Sequence, residues 1–588
     1  MLTMWKPMLP TLVEEINKQK DWIYEIKYDG FRCGIEWTAE KITLWSRNGK
    51  DLTFQFPEIV STCLILQKNI EKQLPIFLDG ELVILRTPYQ ANFSSIQTRG
   101  RTRSKVKIQQ LSKQRPVSFL CFDLLLLNDQ TLQSQTLLDR RKQLEQLFKQ
   151  FTVEQRQLLL IHSFKKLNEI EEISFFHQAE GIVAKNIHST YIEGKRTRQW
   201  IKWKNYRTVQ GVISGWNLTN DYFDVKLDKN EELGKIKHGF AQEDKKTLTN
   251  FIQANGRKQG THWYVTPSVC IDINCLDVKD GEIREPVFRS FRFDLSPTDC
   301  TVEMVRLGLA QLPKEIDLTK PNKELFPQIT KLDYLVYLRN VAPFLLPRLQ
   351  NKRLTMIRYP DGIDQHSFYQ KHLPDYAPEF IDYILSEDGE KDLLCNTLES
   401  LLWFGNHGGL EFHIPFQTVH SAYPDEMVFD LDPPSLEYFS YAVMAAHLIK
   451  DMVEGEGFTP LIKTSGRTGL QIHLPLREKM MTFEETRDFM RAVAEVLVQQ
   501  YPDCFTIERL KKKRKNRLYI DYVQHAEGKT IIAPYSTRAT KEATVATPLF
   551  WEEVDEKLDP RDYTVNTVPE RLVKKGCPFL MSPPSKMD

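Results

Sequence analysis

The chain has 588 residues and a formal net charge of +1 at pH 7, with 41% hydrophobic and 27% charged residues. This length is too great for one hydrophobic core, so we expect three or more domains. Because the net charge is near zero, any nucleic-acid binding must use local basic patches. No apolar run reaches membrane-spanning length, no signal sequence is evident, and nine cysteines occur without a CxxC repeat. The sequence therefore argues against a membrane span, a disulfide framework and a structural zinc site, and predicts a cytoplasmic protein.

The segment 25–32, Glu-Ile-Lys-Tyr-Asp-Gly-Phe-Arg, follows an apolar-alternating run and carries the first chemical signal. If the strand continues, residues two apart share a face, so Glu25, Lys27 and Asp29 point the same way. A lysine amine becomes a nucleophile only when cationic neighbours, a metal ion or burial lower its pKa, and Arg32 is one such neighbour. Lys27 is therefore a candidate covalent nucleophile. The alternative, from this segment alone, is an exposed Asp-Gly hairpin turn.

Further short motifs follow in order at 46–51, 77–83, 122–125, 180–185 and 200–204. Glu81 and Glu180 each stand beside glycine at the edge of an apolar run, where carboxylate oxygens can face a cleft and bind a divalent cation. The alternative for each is a salt-bridged surface glutamate. An ordered set of motifs is far more specific than any one member.

The same motifs contain four more residues of interest. Lys202 and Lys204 lie two apart in the strand pattern Trp-Ile-Lys-Trp-Lys, so their ammonium groups share a face and suit a triphosphate. Phe122 ends an apolar segment, and core packing is its first interpretation. Lys185 lies an odd number of residues from Glu180 and is expected to face away from it if the strand is regular.

Beyond residue 205 the pattern changes. Short β-like runs at 209–216 and 263–266, bounded by glycine and polar turns, predict a small β-barrel over residues 206–300. The polar, proline-marked interval 301–318 predicts a linker beside a possible short helix. Residues 319–588 alternate between apolar strands and helical patterns, which predicts an α/β domain.

The main motif of the second half is 427–434, Met-Val-Phe-Asp-Leu-Asp-Pro-Pro. Asp430 and Asp432 stand two apart on a hydrophobic strand that two prolines stop, so both carboxylates emerge from one face. Such a pair can bridge two divalent ions that stabilise the oxygens of a phosphoryl transfer. Asp521, at the end of another alternating strand, is the candidate third carboxylate. A polar strand end without function is the alternative.

Several polar residues accompany these aspartates. The glycine-bearing turn within 463–471 follows an apolar strand, and its amides and the Ser465 hydroxyl could hold a triphosphate. Arg538 lies in the segment 533–539. His413 lies in an apolar strand, and the alternative to a functional role is a core histidine whose hydrogen bonds are satisfied. Lys323 and Lys331 by themselves would be interpreted as ordinary surface lysines. The run 509–517 is strongly basic, with a solvated loop as its alternative.

The first-half motifs resemble those of the covalent nucleotidyltransferases, and of the ATP-dependent DNA ligases in particular. The resemblance implies an ATP-grasp-like adenylation domain over residues 1–205 and an OB-fold over 206–300. It also implies that Lys27 becomes linked to AMP, that Glu25 reads the purine edge and that Phe122 stacks on adenine. Glu81 would contact ribose or metal, and Glu180 would hold a catalytic metal ion.

The same resemblance extends to the cationic residues. It implies that Arg32 and Arg47 contact ribose or DNA phosphates. The segment 283–294 resembles the final ligase motif, which makes Arg284 and Arg292 candidate contacts to the leaving pyrophosphate.

The second-half motifs resemble the primase-like polymerase domain of the bacterial end-joining ligase D family. The resemblance implies that Asp430, Asp432 and Asp521 hold magnesium or manganese. The residues that it implies for nucleoside triphosphate binding are Ser465, Arg538 and His413, with Gln471 or His473 as a further candidate. Those implied for binding a DNA 5′-phosphate are Lys323 and Lys331. The family motif usually ends Gly-Leu-His, whereas this chain has Gln471 there. His473, two residues on and on the same strand face, is the candidate to replace the missing imidazole.

Together these resemblances predict a multidomain α/β and α+β enzyme that joins an ATP-dependent DNA ligase to a polymerase, in the shorter ligase D form without a phosphoesterase domain. ATP and Mg²⁺ or Mn²⁺ are the expected cofactors. The expected partners are double-stranded DNA ends, nicks and gaps, nucleoside triphosphates and the end-binding protein Ku. The protein itself is expected to be a monomer that associates with the nucleoid. The alternatives are an RNA ligase or capping guanylyltransferase with the same lysine chemistry, or a non-catalytic scaffold that bridges DNA ends.

Overall fold

The structure is a computed structural model that describes residues 5–151, 156–279 and 281–581. Its internal contacts divide the chain into two compact units, with the boundary between Gln311 and Leu312. Each unit has its own buried apolar clusters. Within the described residues, no helix is both long and apolar enough to cross a membrane.

The first unit begins with a two-sheet domain. Its strands are β1 (Leu9–Leu12), β2 (Trp22–Lys27), β3 (Phe31–Trp37), β4 (Ile42–Ser46), β5 (Ile76–Val83), β6 (Leu85–Thr87), β7 (Gln90–Ala91), β8 (Ser118–Leu127), β9 (Gln130–Thr131), β10 (Leu158–Leu160), β11 (Gly181–Asn186) and β12 (Arg196–Lys204). Its α-helices are α1 (Pro57–Leu66), α2 (Phe93–Arg101), α3 (Lys105–Gln114), α4 (Leu137–Phe148) and α5 (Leu167–Phe176).

One sheet has the strand order β1-β12-β11-β2, and the other has the order β10-β8-β5-β3-β4, with β9 paired to β8. Strand β8 is buried along almost its whole length, which explains why its sequence is a continuous apolar run rather than an alternating one. Strand β2 ends at Lys27, so Asp29 lies beyond it and not on the continuing strand that the sequence pattern suggested. The motif residues therefore come from both sheets.

The rest of the first unit is built on a six-stranded antiparallel sheet with the order β15-β14-β13-β17-β16 and β20 paired to β17. Its elements are β13 (Arg207–Asn217), β14 (Tyr222–Lys226), β15 (Glu232–Ile236), β16 (Arg257–Gln259), β17 (His262–Cys275), β18 (Asp277–Lys279), β19 (Glu282–Arg284) and β20 (Val287–Phe291), with helices α6 (Gln242–Asn255) and α7 (Val302–Ala310). A register shift between Ile213 and Gly215 of β13 bends this sheet.

The interval 301–318 is not a linker along its whole length. Helix α7 begins at Val302, one residue after Thr301, whose side chain accepts a hydrogen bond from the Met304 amide. Val305 belongs to the barrel core, and a Cβ placed on Gly308 would lie 2.2 Å from the Thr208 carbonyl oxygen. The short helix that the sequence suggested is therefore packed on the barrel, and only the residues after Ala310 lack regular secondary structure.

The second unit contains two main sheets. Its strands are β21 (Glu324–Phe326), β22 (Ile329–Thr330), β23 (Thr355–Arg358), β24 (Phe368–Gln370), β25 (Tyr383–Leu385), β26 (Lys391–Leu393), β27 (Gly409–Pro415), β28 (Glu426–Asp432), β29 (Leu461–Thr464), β30 (Leu470–Pro475), β31 (Phe505–Thr506), β32 (Leu518–Asp521), β33 (Thr530–Ile532) and β34 (Pro548–Leu549). Its α-helices are α8 (Lys331–Leu349), α9 (Leu398–Asn406), α10 (Phe439–Gly455), α11 (Phe483–Gln500), α12 (Lys511–Arg514), α13 (Val568–Lys574) and α14 (Pro578–Met581).

The larger sheet has the order β31-β32-β28-β30-β29-β34, and the smaller has the order β24-β23-β27-β33. The apolar faces of β28 and β30 pack on helices α10 and α11 in one buried cluster. Alternation along β28 then directs its aspartates to the opposite face of the sheet from that core. The α/β alternation that the sequence predicted for residues 319–588 is thus a sheet covered by helices, antiparallel except for the parallel pair β31 and β32.

Candidate active sites

A cavity of about 600 Å³ opens between the two sheets of the first unit. Strands β2, β11 and β12 contribute residues to one side, and β3, β5 and β8 contribute residues to the other. The predicted site residues that line it are Glu25, Lys27, Arg32, Arg47, Glu81, Phe122 and Lys202. The structure therefore brings together side chains that the sequence separates by up to about 180 positions.

Lys27 lies at the end of β2, and its Nζ is 2.5 Å from Oε1 of Glu180. Burial raises the pKa of Glu180, and its Oε2 is buried without a hydrogen bond. Lys202 lines the same cavity, where burial and then the positive charge of Lys27 lower its pKa. The Lys27 amine thus contacts the Glu180 carboxylate and interacts electrostatically with Lys202.

Lys185 differs from the expectation that it faces away from the Glu180 side. Because β11 begins at Gly181, Glu180 stands before the strand and the odd spacing does not apply. Lys185 faces the cavity, where its Nζ lies 2.6 Å from Oε2 of Glu25 and 4.3 Å from the centre of the Phe122 ring. Burial lowers the pKa of Lys185. Lys185 is therefore a further candidate for nucleotide contact.

Glu25 is 2% exposed and is held by two residues that the sequence interpretation missed. Arg141 of helix α4 donates from Nη1 to Oε1 of Glu25 at 3.0 Å, and the Ser163 hydroxyl donates to the same oxygen at 3.0 Å. Neither residue belongs to a short motif, and each is more than 100 positions from Glu25. No local sequence signal identifies such a contact.

Phe122 belongs to the core and also borders the cavity. It is 6% exposed and packs edge-on against Trp200 in an apolar cluster, yet it also lines the cavity. The Arg32 guanidinium lies 4.3 Å from the ring centre and makes two hydrogen bonds of 2.7 Å to the buried Asp79. The ring is therefore fixed in position before any ligand arrives.

Glu81 lies opposite Arg32 on β5 and faces the cavity. Burial raises the pKa of Glu81 to about 8, although the positive charges of Arg32 and Lys27 oppose that shift. Arg47 is exposed at the rim, and its amide donates to the Arg32 carbonyl at 3.2 Å. The two carboxylates Glu81 and Glu180 thus belong to one electrostatic cluster with Lys27.

The barrel places one of its two predicted arginines at this site. Arg284 donates to both carboxylate oxygens of Asp29, with the Nη2 bond at 2.8 Å, and Glu285 pairs with Lys204. Neither arginine is among the residues that line the cavity, but the charge of Arg284 acts on Glu180, whereas Arg292 bonds Asp294 and Asp272 within its own domain. A pyrophosphate contact therefore remains a candidate role for Arg284, while the structure gives no support to that role for Arg292.

The aspartates of the second unit meet on neighbouring strands. Asp430 of β28 is in register with Asp521 of β32, and Asp432 follows two residues later. Burial, followed by the negative charges of Asp432 and Asp521, raises the pKa of Asp430 to about 6. The Arg514 guanidinium, from the basic run 509–517, lies 3.4 Å from Asp432.

Gln471 and His473 have different surroundings. Gln471 is in register with Asp430 and donates from Nε2 to Oδ1 of that aspartate at 3.1 Å. His473 is 1% exposed, and its Nδ1 lies 2.9 Å from Glu426 while its ring packs on Phe579. The prediction that His473 replaces the missing imidazole is therefore not supported, because burial and the Glu426 contact hold it away from the aspartates.

Two of the remaining nucleotide-binding candidates, His413 and Arg538, meet at a buried carboxylate. Glu411 has a fully buried side chain, and its neighbours are His413 at 3.1 Å, Arg538 at 3.3 Å and Arg467 at 3.4 Å. Ser465 accepts hydrogen bonds from the Arg467 and Gly469 amides at 3.3 and 3.1 Å, which closes the turn on itself. Two of the turn amides expected to be available for a phosphate thus have an internal partner.

Lys323 and Lys331 are neighbours in space. The Lys331 amide donates to the Lys323 carbonyl at 2.7 Å, and Lys331 begins helix α8. Burial and the positive charges of Lys323 and Lys320 lower the pKa of Lys331. Lys323 itself pairs with Asp361. The pair concentrates positive charge at one place, as a phosphate site requires.

The donor sets of both units suit a hard divalent cation, although no complete ligand set is preformed. Among the described residues, no three His, Cys, Asp or Glu side chains are grouped as a finished metal site. Yet Glu180 carries a buried oxygen without a partner, and Asp430, Asp432 and Asp521 repel one another. A divalent cation bound by these oxygens would relieve both conditions.

Comparisons with known proteins agree with this arrangement. Residues 7–204 match the protein family described as ATP dependent DNA ligase domain, and residues 330–579 match LigD, primase-polymerase domain. The chain is 37% identical over 585 residues to the bifunctional non-homologous end joining protein LigD of Bacillus subtilis, covering 97% of this chain and 96% of that protein. This chain belongs to the LigD family.

The chain is also similar to two further proteins. The multifunctional LigD of Pseudomonas aeruginosa is 25% identical over 626 residues, covering 96% of this chain and 70% of that protein. The polymerase domain of Mycobacterium tuberculosis Ligase D, solved in complex with DNA, is 28% identical with a TM-score of 0.42 and covers 45% of this chain and 96% of that one. As a LigD protein, the chain is a bifunctional enzyme of DNA repair with an ATP-dependent DNA ligase domain and a primase-polymerase domain.

Proposed function

We propose that Lys27 is the ligase nucleophile. Its Nζ attacks the α-phosphate of ATP, a nitrogen–phosphorus bond forms, and the bond to the β-phosphate breaks as pyrophosphate leaves. The amine proton passes to water, which can reach Nζ because the Lys27 side chain is 20% exposed. The observation that supports this role best is the position of Lys27 inside the cavity, beside Lys202 and Glu180.

The surrounding residues bind and orient the nucleotide in this proposal. Phe122 stacks on adenine while Glu25 reads the purine edge, and Arg32 and Arg47 contact ribose or DNA phosphates. In the later steps AMP moves from Lys27 to a DNA 5′-phosphate, and a 3′-hydroxyl then displaces AMP to seal the nick. Each step is an in-line transfer that depends on positioning and on fixed positive charge.

Cations around the phosphates complete the ligase site. Lys202 and Lys204 suit the triphosphate because both belong to β12 and lie two positions apart. Arg284 contacts the leaving pyrophosphate. A divalent ion, Mg²⁺ or Mn²⁺, held by Glu180 and Glu81 would neutralise phosphate charge.

In the second unit we propose template-directed nucleotide addition. The 3′-hydroxyl of a primer attacks the α-phosphate of a nucleoside triphosphate, and pyrophosphate leaves. Asp430, Asp432 and Asp521 are the proposed ligands for Mg²⁺ or Mn²⁺. The register of β28 and β32, which brings these carboxylates together, supports the assignment.

We also propose which residues of the second unit bind its substrates. Ser465, Arg538 and His413 bind the triphosphate, and Gln471 acts through Asp430. Lys323 and Lys331 bind a DNA 5′-phosphate, which directs addition to gaps and broken ends. We further propose that the protein acts as a monomer on double-stranded DNA ends, nicks and gaps in the bacterial cytoplasm and nucleoid, together with the end-binding protein Ku.

One purified preparation tests both activities. Wild-type protein should seal a nicked duplex with ATP and extend a primer across a gap. Lys27→Ala should lose sealing and keep extension, whereas Asp430→Ala should lose extension and keep sealing. Protein labelling by GTP but not ATP would favour a guanylyltransferase, and end joining by Lys27→Ala at the wild-type rate would favour a scaffold.

A further inference from the structure

Lys463 lies beneath the polymerase site and has no exposed surface. It belongs to β29 and is in register with Gln471 of β30, and its Nζ donates a hydrogen bond to Oε1 of Gln471. A fully buried lysine is costly unless it has a specific partner. Gln471 supplies that partner, so the two side chains form a buried pair.

The opposite end of the Gln471 amide faces the candidate metal-binding carboxylate. Its Nε2 donates to Oδ1 of Asp430 at 3.1 Å, and Asp430 is in register with Gln471 on the neighbouring strand. The chain of contacts therefore runs from the lysine through the amide to the aspartate. An amide can rotate by half a turn and exchange its donor for its acceptor. Lys463 opposes that rotation, because the rotated amide would direct its NH₂ group at Lys463 and the hydrogen bond from Nζ to Oε1 would be lost.

The orientation of this amide matters because the site is crowded with negative charge. A rotated Gln471 would direct its oxygen at Asp430, a carboxylate that Asp432 and Asp521 already repel. The carboxylate would then move or rotate away from its present position. Sequence comparison with the family motif identifies only the substitution of histidine by Gln471, whereas the structure identifies the residue that fixes the substituted side chain.

We propose that Lys463 is a positioning residue of the polymerase site: by holding the Gln471 amide in one orientation, it fixes the Asp430 carboxylate for binding of a divalent cation. This inference rests on the proposed polymerase function. Lys463 does not contact the reacting atoms, and its effect on nucleotide addition passes entirely through Gln471. The effects of changing the two residues should therefore not be additive.

A double-mutant cycle tests the coupling. Lys463→Met, Gln471→Leu and the double variant are compared in the full-length protein for kcat and KM of nucleotide addition. Lys463→Met should lower kcat about tenfold, the effect of losing one hydrogen bond to a charged group, with a smaller change in nucleotide KM. The double variant should equal Gln471→Leu. Equal activity of Lys463→Met and wild type, or additive losses, would overturn the proposal.

Direct Mn²⁺ binding provides a readout that is independent of activity. Loss of the free Mn²⁺ signal in electron paramagnetic resonance measures bound ion, and Asp430→Ala gives the background from other sites. Lys463→Met should weaken the Asp430-dependent component at least about fivefold, an effect within the range of one such hydrogen bond. Unchanged Mn²⁺ binding would contradict the proposal. If wild-type protein binds Mn²⁺ but adds no nucleotide, the proposed polymerase function is wrong. The Mn²⁺ measurement then still tests whether Lys463 positions Asp430.

Two variants separate positioning from folding. Lys352 is another buried lysine of this unit, and it bonds Asp425 at 2.8 Å, so Lys352→Met is the matched control. It should leave Mn²⁺ binding at the wild-type level. If Lys352→Met loses as much Mn²⁺ affinity as Lys463→Met, the loss reflects general destabilisation and the proposal is wrong. Gln471→Leu removes the donor to Asp430 without adding a charge. It should lower Mn²⁺ affinity at least as much as Lys463→Met; full retention of affinity would contradict the proposal.

Discussion

Asp430 is a carboxyl group that the fold holds at a cost in stability. Burial and the charges of Asp432 and Asp521 raise its pKa from 3.8 to about 6. The folded protein therefore binds this proton more tightly than the unfolded chain does. The resulting stabilisation is complete below about pH 4 and is lost as the pH rises through about 6.

Asp430→Asn removes this charge and should stabilise the second unit at pH 7.5 in the presence of a chelator. The expected gain in free energy of unfolding is at most about 3 kcal/mol, and it should vanish near pH 4. Scanning calorimetry at the two pH values measures it. An Asp430→Asn variant that is less stable than wild type at pH 7.5 would show that the carboxylate is stabilised rather than strained in the metal-free protein.

For single residues, the sequence identifies the side chains expected to contact a ligand but not the supporting residues that fix those side chains in position. Lys27, Glu81 and Asp430 stand in short motifs whose spacing on a strand can be read directly. Arg141 is distant in sequence from the Glu25 that it contacts, and Lys463 contacts Gln471 only because β29 and β30 are paired. Pairing register between strands depends on the whole fold, so these supporting contacts could not be predicted locally.

The hairpin of β18 and β19 is the element that brings the barrel to the lysine site. Its last residue, Arg284, bonds Asp29, and the next residue, Glu285, pairs with Lys204. The sequence predicted contact with pyrophosphate for both Arg284 and Arg292. The two differ because Arg292 follows β20, where Asp272 and Asp294 bind its guanidinium.

Arg284→Ala should therefore affect one step of the ligase cycle more than the others. Pyrophosphate leaves only when Lys27 reacts with ATP, so the variant should form the enzyme–AMP adduct at least about tenfold more slowly, as expected for one lost charged contact. Sealing of a nick that already carries AMP should be much less affected. Arg292→Ala is the matched control. Equal losses in both steps would contradict this role for Arg284.

The two halves of the molecule are compact units, each with its own core. The sequence predicted a linker between them from the polar, proline-marked interval 301–318, and the boundary after Gln311 lies inside that interval. Within the interval, however, α7 packs on the barrel and so belongs to the first unit. A polar, proline-marked interval resembles a linker even when it contains a helix that buries some of its residues, here Val305 and Ala310.

Residues 1–311 and 312–588 should therefore fold when they are produced separately. Each should fold into a compact state and keep its own reaction, sealing for the first and nucleotide addition for the second. Circular dichroism with parallel assays of the two fragments checks this. Aggregation of either fragment, or loss of sealing by the first, would mean that the units depend on each other for stability.

The central claim is that the amine of Lys27 carries AMP, and one measurement tests it directly. Purified protein is incubated with ATP and Mg²⁺, digested, and analysed by tandem mass spectrometry, with Lys27→Ala treated in parallel. We predict a single AMP adduct on the peptide that contains Lys27 and none in the variant. An adduct on any other residue, or no adduct on the wild-type protein, would contradict the account.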